Sequence, residues 1–168
     1  MKRKIIALAL CVALMALCAA VAEKAGTKVY RLGTSVYTVE IPESYVEGEL
    51  TEEDIANDQV ACMQSPDSLL DFDVYQFSKE GCQEKLADYA AAEAEEYNTT
   101  EIVTDGNVNG IDAAWYRATE TYEGVEYTTL TYVLEDGDQY VEIAFWLDGE
   151  NAEQEAQAII NTLTFVTR

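Results

Sequence analysis

An α+β fold, an antiparallel sheet with two main helices packed on it, is what this 168-residue sequence predicts. Three observations predict it. Much of the chain beyond residue 27 falls into short runs rich in β-branched and aromatic residues, punctuated by glycine, the composition of strands and turns. Three of these runs, 111–122, 125–135 and 138–147, are joined by Glu123-Gly124 and Asp136-Gly137. Two-residue connections of that kind are hairpin turns, so the strands they join run antiparallel. Two other segments, 82–97 and the one after Asn151, space their apolar residues by threes and fours, the period of a helix with one buried stripe.

In chain order, Lys28–Leu32 and Val36–Ile41 are strands divided by Gly33-Thr34, and Pro42 ends the second. Thr51-Glu52-Glu53-Asp54 has the form of a capping box and starts one short helical turn through Asn57. Gln59–Gln64 and Leu69–Phe77 form a hairpin about Ser65-Pro66-Asp67-Ser68. Leu70, Phe72 and Val74 lie on its buried side, with Asp71, Asp73 and Tyr75 on the other. The helix from Cys82 to Tyr97 places Cys82, Leu86, Tyr89, Ala90 and Tyr97 along one stripe, and Asn98-Thr99-Thr100 stops it. That triplet is formally a glycosylation sequon, but nothing else points to a eukaryotic secretory context. In the meander that follows, a two-residue turn at Asp136-Gly137 sets Tyr132 opposite Val141, Leu130 opposite Ile143 and Thr128 opposite Phe145. Asn151 and Gln154 make a second capping box, Ala156, Ile159, Ile160 and Leu163 form one apolar stripe, and Thr164–Val166 is a last strand.

The N-terminus reads as an export signal over residues 1–22. Lys2, Arg3 and Lys4 precede the apolar run Ile5–Leu17, and Ala20-Val21-Ala22 supplies the small-x-small cleavage pattern. Leu17 before Cys18 and Leu10 before Cys11 are too large for lipid attachment. A polar lead, 23–27, and a single domain, 28–168, make up the mature chain. It is expected outside the cytoplasm, with no membrane insertion after cleavage. The full chain carries −22; removing three of its ten basic residues leaves 7 − 32 = −25. Such a charge repels phosphate backbones and excludes nucleic acid as a partner. It is compatible with a cationic surface.

Histidine is absent, which removes His-assisted nucleophiles and the commonest base at neutral pH. Only Cys62 and Cys82 survive processing, with no CxxC, so ordinary zinc sites are excluded. Centring the 59–77 hairpin on Pro66-Asp67 pairs Cys62 with Asp71. That leaves about 20 Å of strand to Cys82 at ~3.3 Å per residue, beyond the ~7 Å limit for a bridge. Two buried free thiols are expected. Leu134-Glu135-Asp136-Gly137-Asp138-Gln139-Tyr140 gathers acids around a glycine, but position twelve from Asp136 is Leu147, where a calcium loop needs glutamate. The stretch reads as a type I′ turn, not a metal site. Asp71 and Asp73 read as a solvated face. No catalytic, cofactor or metal residues are assigned.

The order of these elements resembles a known family. A strand ending "TVEIPESY" (38–45) precedes a hairpin and a helix, and a glycine-turned meander leads to a helix that runs into "IINTLTFV" (159–166). This is similar to the PsbP-like proteins, named for the extrinsic subunit P of photosystem II and shared with Ran-binding import factors and exported bacterial proteins. The resemblance covers about 28–166 and implies an α/β/α sandwich. Known members mostly dock to proteins and do not catalyse, so it also implies a non-enzymatic interaction module. No functional motif of the family is recognisable here. The residues themselves offer one docking face: Tyr116, Tyr127, Tyr140 and Trp146 share the sheet face opposite Val141 and Ile143. The alternative is a weak binder of divalent cations or of polycationic cell-surface material, driven by the charge.

Overall fold

The computed structural model describes residues 26–122 and 124–166. The export-signal reading lies outside them. Among the described residues, ten strands and three helices follow in the order β1 (Thr27–Arg31), β2 (Tyr37–Pro42), β3 (Val46–Glu47), α1 (Glu52–Ala56), β4 (Gln59–Gln64), β5 (Leu70–Ser78), α2 (Leu86–Glu96), β6 (Asn98–Val108), β7 (Ile111–Tyr122), β8 (Val125–Asp136), β9 (Gln139–Leu147), α3 (Ala152–Ile160) and β10 (Thr164–Phe165). The pairings are antiparallel throughout. They build a seven-stranded sheet, β3-β4-β5-β9-β8-β7-β6, and a separate three-stranded sheet, β1-β2-β10.

Alternation along the long strands gives the large sheet two different faces. Phe72, Val74, Leu130, Tyr132, Val141, Ile143 and Phe145 point to one face, where the small sheet and Ala156, Ile159 and Ile160 of α3 close over them. On the other face Ala114, Tyr116, Ala118, Val133 and Tyr140 pack beneath Tyr89, Ala90 and Ala94 of α2. Helices on opposite faces of an antiparallel sheet are the sandwich that the resemblance implies. α2 covers only part of its face, because it docks against β6, β7 and β8. Beyond Phe77 and Tyr140, the part of this face formed by β4 and by the Asp71–Asp73 and Trp146 stretches of β5 and β9 is not covered by α2, and the candidate site lies there.

The hairpin registers need correction by two residues. Tyr132 faces Ile143, Leu130 faces Phe145 and Thr128 faces Leu147. A two-residue slip keeps every side chain on its face, so the face assignments stand. The turn at LEDGDQY is therefore Gly137-Asp138, between paired Asp136 and Gln139. Gly137 has φ 64° but Asp138 has no positive φ, and type I′ requires both. The type I′ pattern is instead at Asn109-Gly110, with φ 53° and 84°, between paired Val108 and Ile111. The acids at the other turn serve as ties. Glu135 pairs with Lys79 at 2.8 Å, and Asp136 accepts the Val36 amide at 3.0 Å.

Other differences have local causes. Cys62 faces Asp73, not Asp71. α2 begins at Leu86, because Lys79–Cys82 is held in a turn by the Cys82 amide on the Lys79 carbonyl, with Gly81 at φ 90°. Asn98-Thr99-Thr100 does more than stop α2: it opens β6, which pairs with β7 through two bulges. Thr51 makes its capping box with Asp54, whereas Asn151 makes no side-chain cap. Cys62 and Cys82 are both free and partly exposed rather than buried.

Candidate functional site

The open part of the sheet's second face forms a trough of about 630 Å³. β5 supplies Asp71, Asp73 and Tyr75 to its floor, and β9 supplies Trp146, all by period-two alternation. Tyr127 of β8 stands edge-on to Trp146, ring centroids 5.9 Å apart at 84°. The segment from Glu49 through α1 overhangs the far side and brings Glu49 and Asp54 to the rim. Asp148 follows β9. Five carboxylates line the trough, and no basic side chain is among its described lining residues.

Asp73 organises this floor. One oxygen accepts the Trp146 indole N–H at 2.7 Å, and the other accepts Gln59 Nε2 at 2.7 Å. The indole is thus locked with its ring in the wall. Burial lifts the Asp73 carboxyl above the usual carboxylate range, against the lowering pull of the Trp146 and Cys62 hydrogen bonds. Cys62 lies against Asp73, and burial, then the Asp73 charge, pushes its thiol up to about 12. That is the opposite of a reactive cysteine. Asp71 accepts the Ser65 amide at 2.8 Å. Asp71 and Asp73 are therefore half-buried, hydrogen-bonded lining groups and not a solvated face.

The docking-face residues divide. All four lie on the expected face, but Tyr116 and Tyr140 are 3% and 0% exposed beneath α2. Tyr140 stacks on Tyr89 with centroids 4.3 Å apart and donates to the Gln83 carbonyl at 2.6 Å. Tyr127 and Trp146 are half-buried and come together at the trough. Sequence reasoning missed Tyr75, the α1 overhang and Glu142. Glu142 was visible as an acid in phase with Tyr140 and Trp146, on the face that turned out to be half covered. It is 9% exposed, and Tyr89 Oη donates to it at 2.7 Å. Burial, with the nearby Glu93 charge, raises its carboxyl to about 7 despite that bond.

No family model matches the chain, and no curated protein matches it by sequence. Solved structures do. Cyanobacterial PsbP from Synechocystis sp. PCC 6803 superposes with a TM-score of 0.62 at 7% identity, covering 86% of this chain and 95% of that one. LpqN of Mycobacterium tuberculosis, described as involved in cell envelope biogenesis, gives 0.54 at 8% identity, covering 84% and 91%. A Bacteroides thetaiotaomicron protein gives 0.54 at 19% identity, and this chain, 82% covered, spans half of its length. With two helices on opposite faces of a seven-stranded antiparallel sheet and a second, three-stranded sheet beside one of them, the fold is that of the PsbP-like proteins.

Proposed function

We propose that the protein is an exported, non-catalytic interaction module that docks a basic segment of a partner protein in the trough. The observation that carries this reading is the lining: five carboxylates without a base, walled by Trp146, Tyr127 and Tyr75. Charge complementarity selects a cationic occupant. The aromatic faces add attraction for ammonium or guanidinium groups. The chain already shows this pairing elsewhere, with Lys79 Nζ 4.9 Å from the Tyr140 ring centroid. A net charge of −22 draws a basic partner from a distance. The positively charged start of the chain, its apolar run and Ala20-Val21-Ala22 support export.

N-acetyl-tetralysine amide is a minimal probe. At fixed ionic strength it is expected to bind the wild type and to weaken by about tenfold, ~1.4 kcal/mol, in Trp146→Leu and in Asp71→Asn with Asp148→Asn. Unchanged binding in both variants, or no binding to the wild type, contradicts the proposal. Equal competition by magnesium chloride and by sodium chloride of the same ionic strength is expected. Selective displacement by magnesium would favour the divalent-cation alternative.

A further inference from the structure

On the far side of Tyr75 and Trp146 the trough continues into a second hollow of about 460 Å³. Those two side chains line both spaces and form the ridge between them. The inner hollow differs in kind from the outer one. Its walls are the tyrosines of β7 and α2, with Thr131 and Glu142 rising from the sheet. Glu142 is nine-tenths buried, and one of its oxygens accepts the Tyr89 hydroxyl. The ion pairs of the described residues involve Lys79 and Arg117, neither of them with Glu142. A buried carboxylate with no cation is costly, and that cost is relieved when a cation arrives.

We infer that the inner hollow is a second cation subsite, taking a lysine or arginine side chain of the docked segment with Glu142 as its counter-charge. This rests on the trough reading and deepens it: the ligand must carry two cationic groups that straddle the Tyr75–Trp146 ridge. The titratable groups facing Glu142 are Tyr89 and Glu93 from α2, Tyr116 from β7 and Tyr75 from β5, with Asp58 and Tyr97 at the hollow's edge. Burial raises Tyr89 and Tyr116 so that both stay neutral at physiological pH. Burial raises Glu93 as well. Near neutrality Glu142 is shared between its protonated and ionised forms, and a cation beside it selects the ionised one. Binding then expels a proton, so affinity rises with pH.

Calorimetric titration of the whole protein with N-acetyl-tetralysine amide, in two buffers of different ionisation enthalpy, reads the proton count directly. At pH 7 the wild type should release roughly half a proton per peptide, and its affinity should rise about tenfold from pH 6 to pH 8. Glu142→Gln keeps an oxygen for Tyr89 and should melt cooperatively, yet bind with no proton release and little pH dependence. Glu93→Gln, which leaves Glu142 in place, should retain the release. Binding without proton release in the wild type, or with release unchanged in Glu142→Gln, overturns the inner subsite while leaving the trough standing. Absence of binding at every pH overturns both.

Discussion

At Gly106 there is no room for a methyl group: a Cβ built there overlaps the six-membered ring of Trp115 on the neighbouring strand. Trp115 in turn packs on Tyr132 with centroids 5.6 Å apart, so the indole cannot step aside without disturbing the core. Gly106→Ala should cost ~1–3 kcal/mol in denaturant unfolding. Glu142 makes the second residue-scale prediction. Its folded carboxyl stands raised to about 7, above the usual 4.5. A carboxyl raised on folding favours the native state while protonated, and that advantage is lost as pH rises from about 4.5 to about 7. The full swing is about 3 kcal/mol. Glu142→Gln should therefore match the wild type near pH 4.5 and exceed it in stability at pH 8. Equal pH profiles for the two proteins would show that the carboxyl is not perturbed. An acid in a strand looks solvated in a sequence. Only the position of α2 over part of the face reveals that this one is buried.

The elements show which local signals carry their own geometry. Thr51 and Asp54 satisfy each other's backbone amides, Thr51 N at 2.7 Å and Asp54 N at 3.2 Å, as the four-residue pattern predicts. Asn151 and Gln154 fit the same pattern, yet Asn151 sits at φ −107°, ψ 1°, away from the extended conformation of Thr51. Its side chain caps nothing. Thr51→Ala should lower stability by ~1 kcal/mol and speed amide exchange over α1, whereas Asn151→Ala should be nearly neutral. Hairpin turns were legible as turns but not in register, because Asp136-Gly137 and Gly137-Asp138 both place glycine inside a two-residue loop. The ties of Glu135 to Lys79 and of Asp136 to Val36 reach residues next to the ends of β5 and β2, far away in the chain, and accompany the observed register. β6 escaped notice because its two bulges spoil the period-two pattern. Asn109-Gly110, a strong hairpin signal just before β7, was the clue to it.

For the whole molecule, the long alternating strands and the two apolar stripes made the sandwich legible, since each pattern has one way to bury its face. Incomplete cover by α2 was not legible: it depends on where the helix lands, and that is set by Tyr89 stacking on Tyr140 and Ala94 receiving Thr99 Oγ1 at 2.7 Å. The excess of acids makes a further prediction at this scale. Calcium chloride and sodium chloride at matched ionic strength should raise the melting temperature alike, because both screen the same repulsion. A saturable rise with calcium alone would reveal a specific site.

The central claim, that the acidic aromatic trough receives a cationic ligand, has a reporter built into the chain. Its two tryptophans lie on opposite faces of the sheet, Trp146 in the trough and Trp115 against the main core beside Tyr132. In 15N-labelled protein titrated with N-acetyl-tetralysine amide at constant ionic strength, the Trp146 indole resonance should shift saturably while the Trp115 indole stays in place. Two stationary indoles, or two that move together as they do with added sodium chloride, would contradict the account.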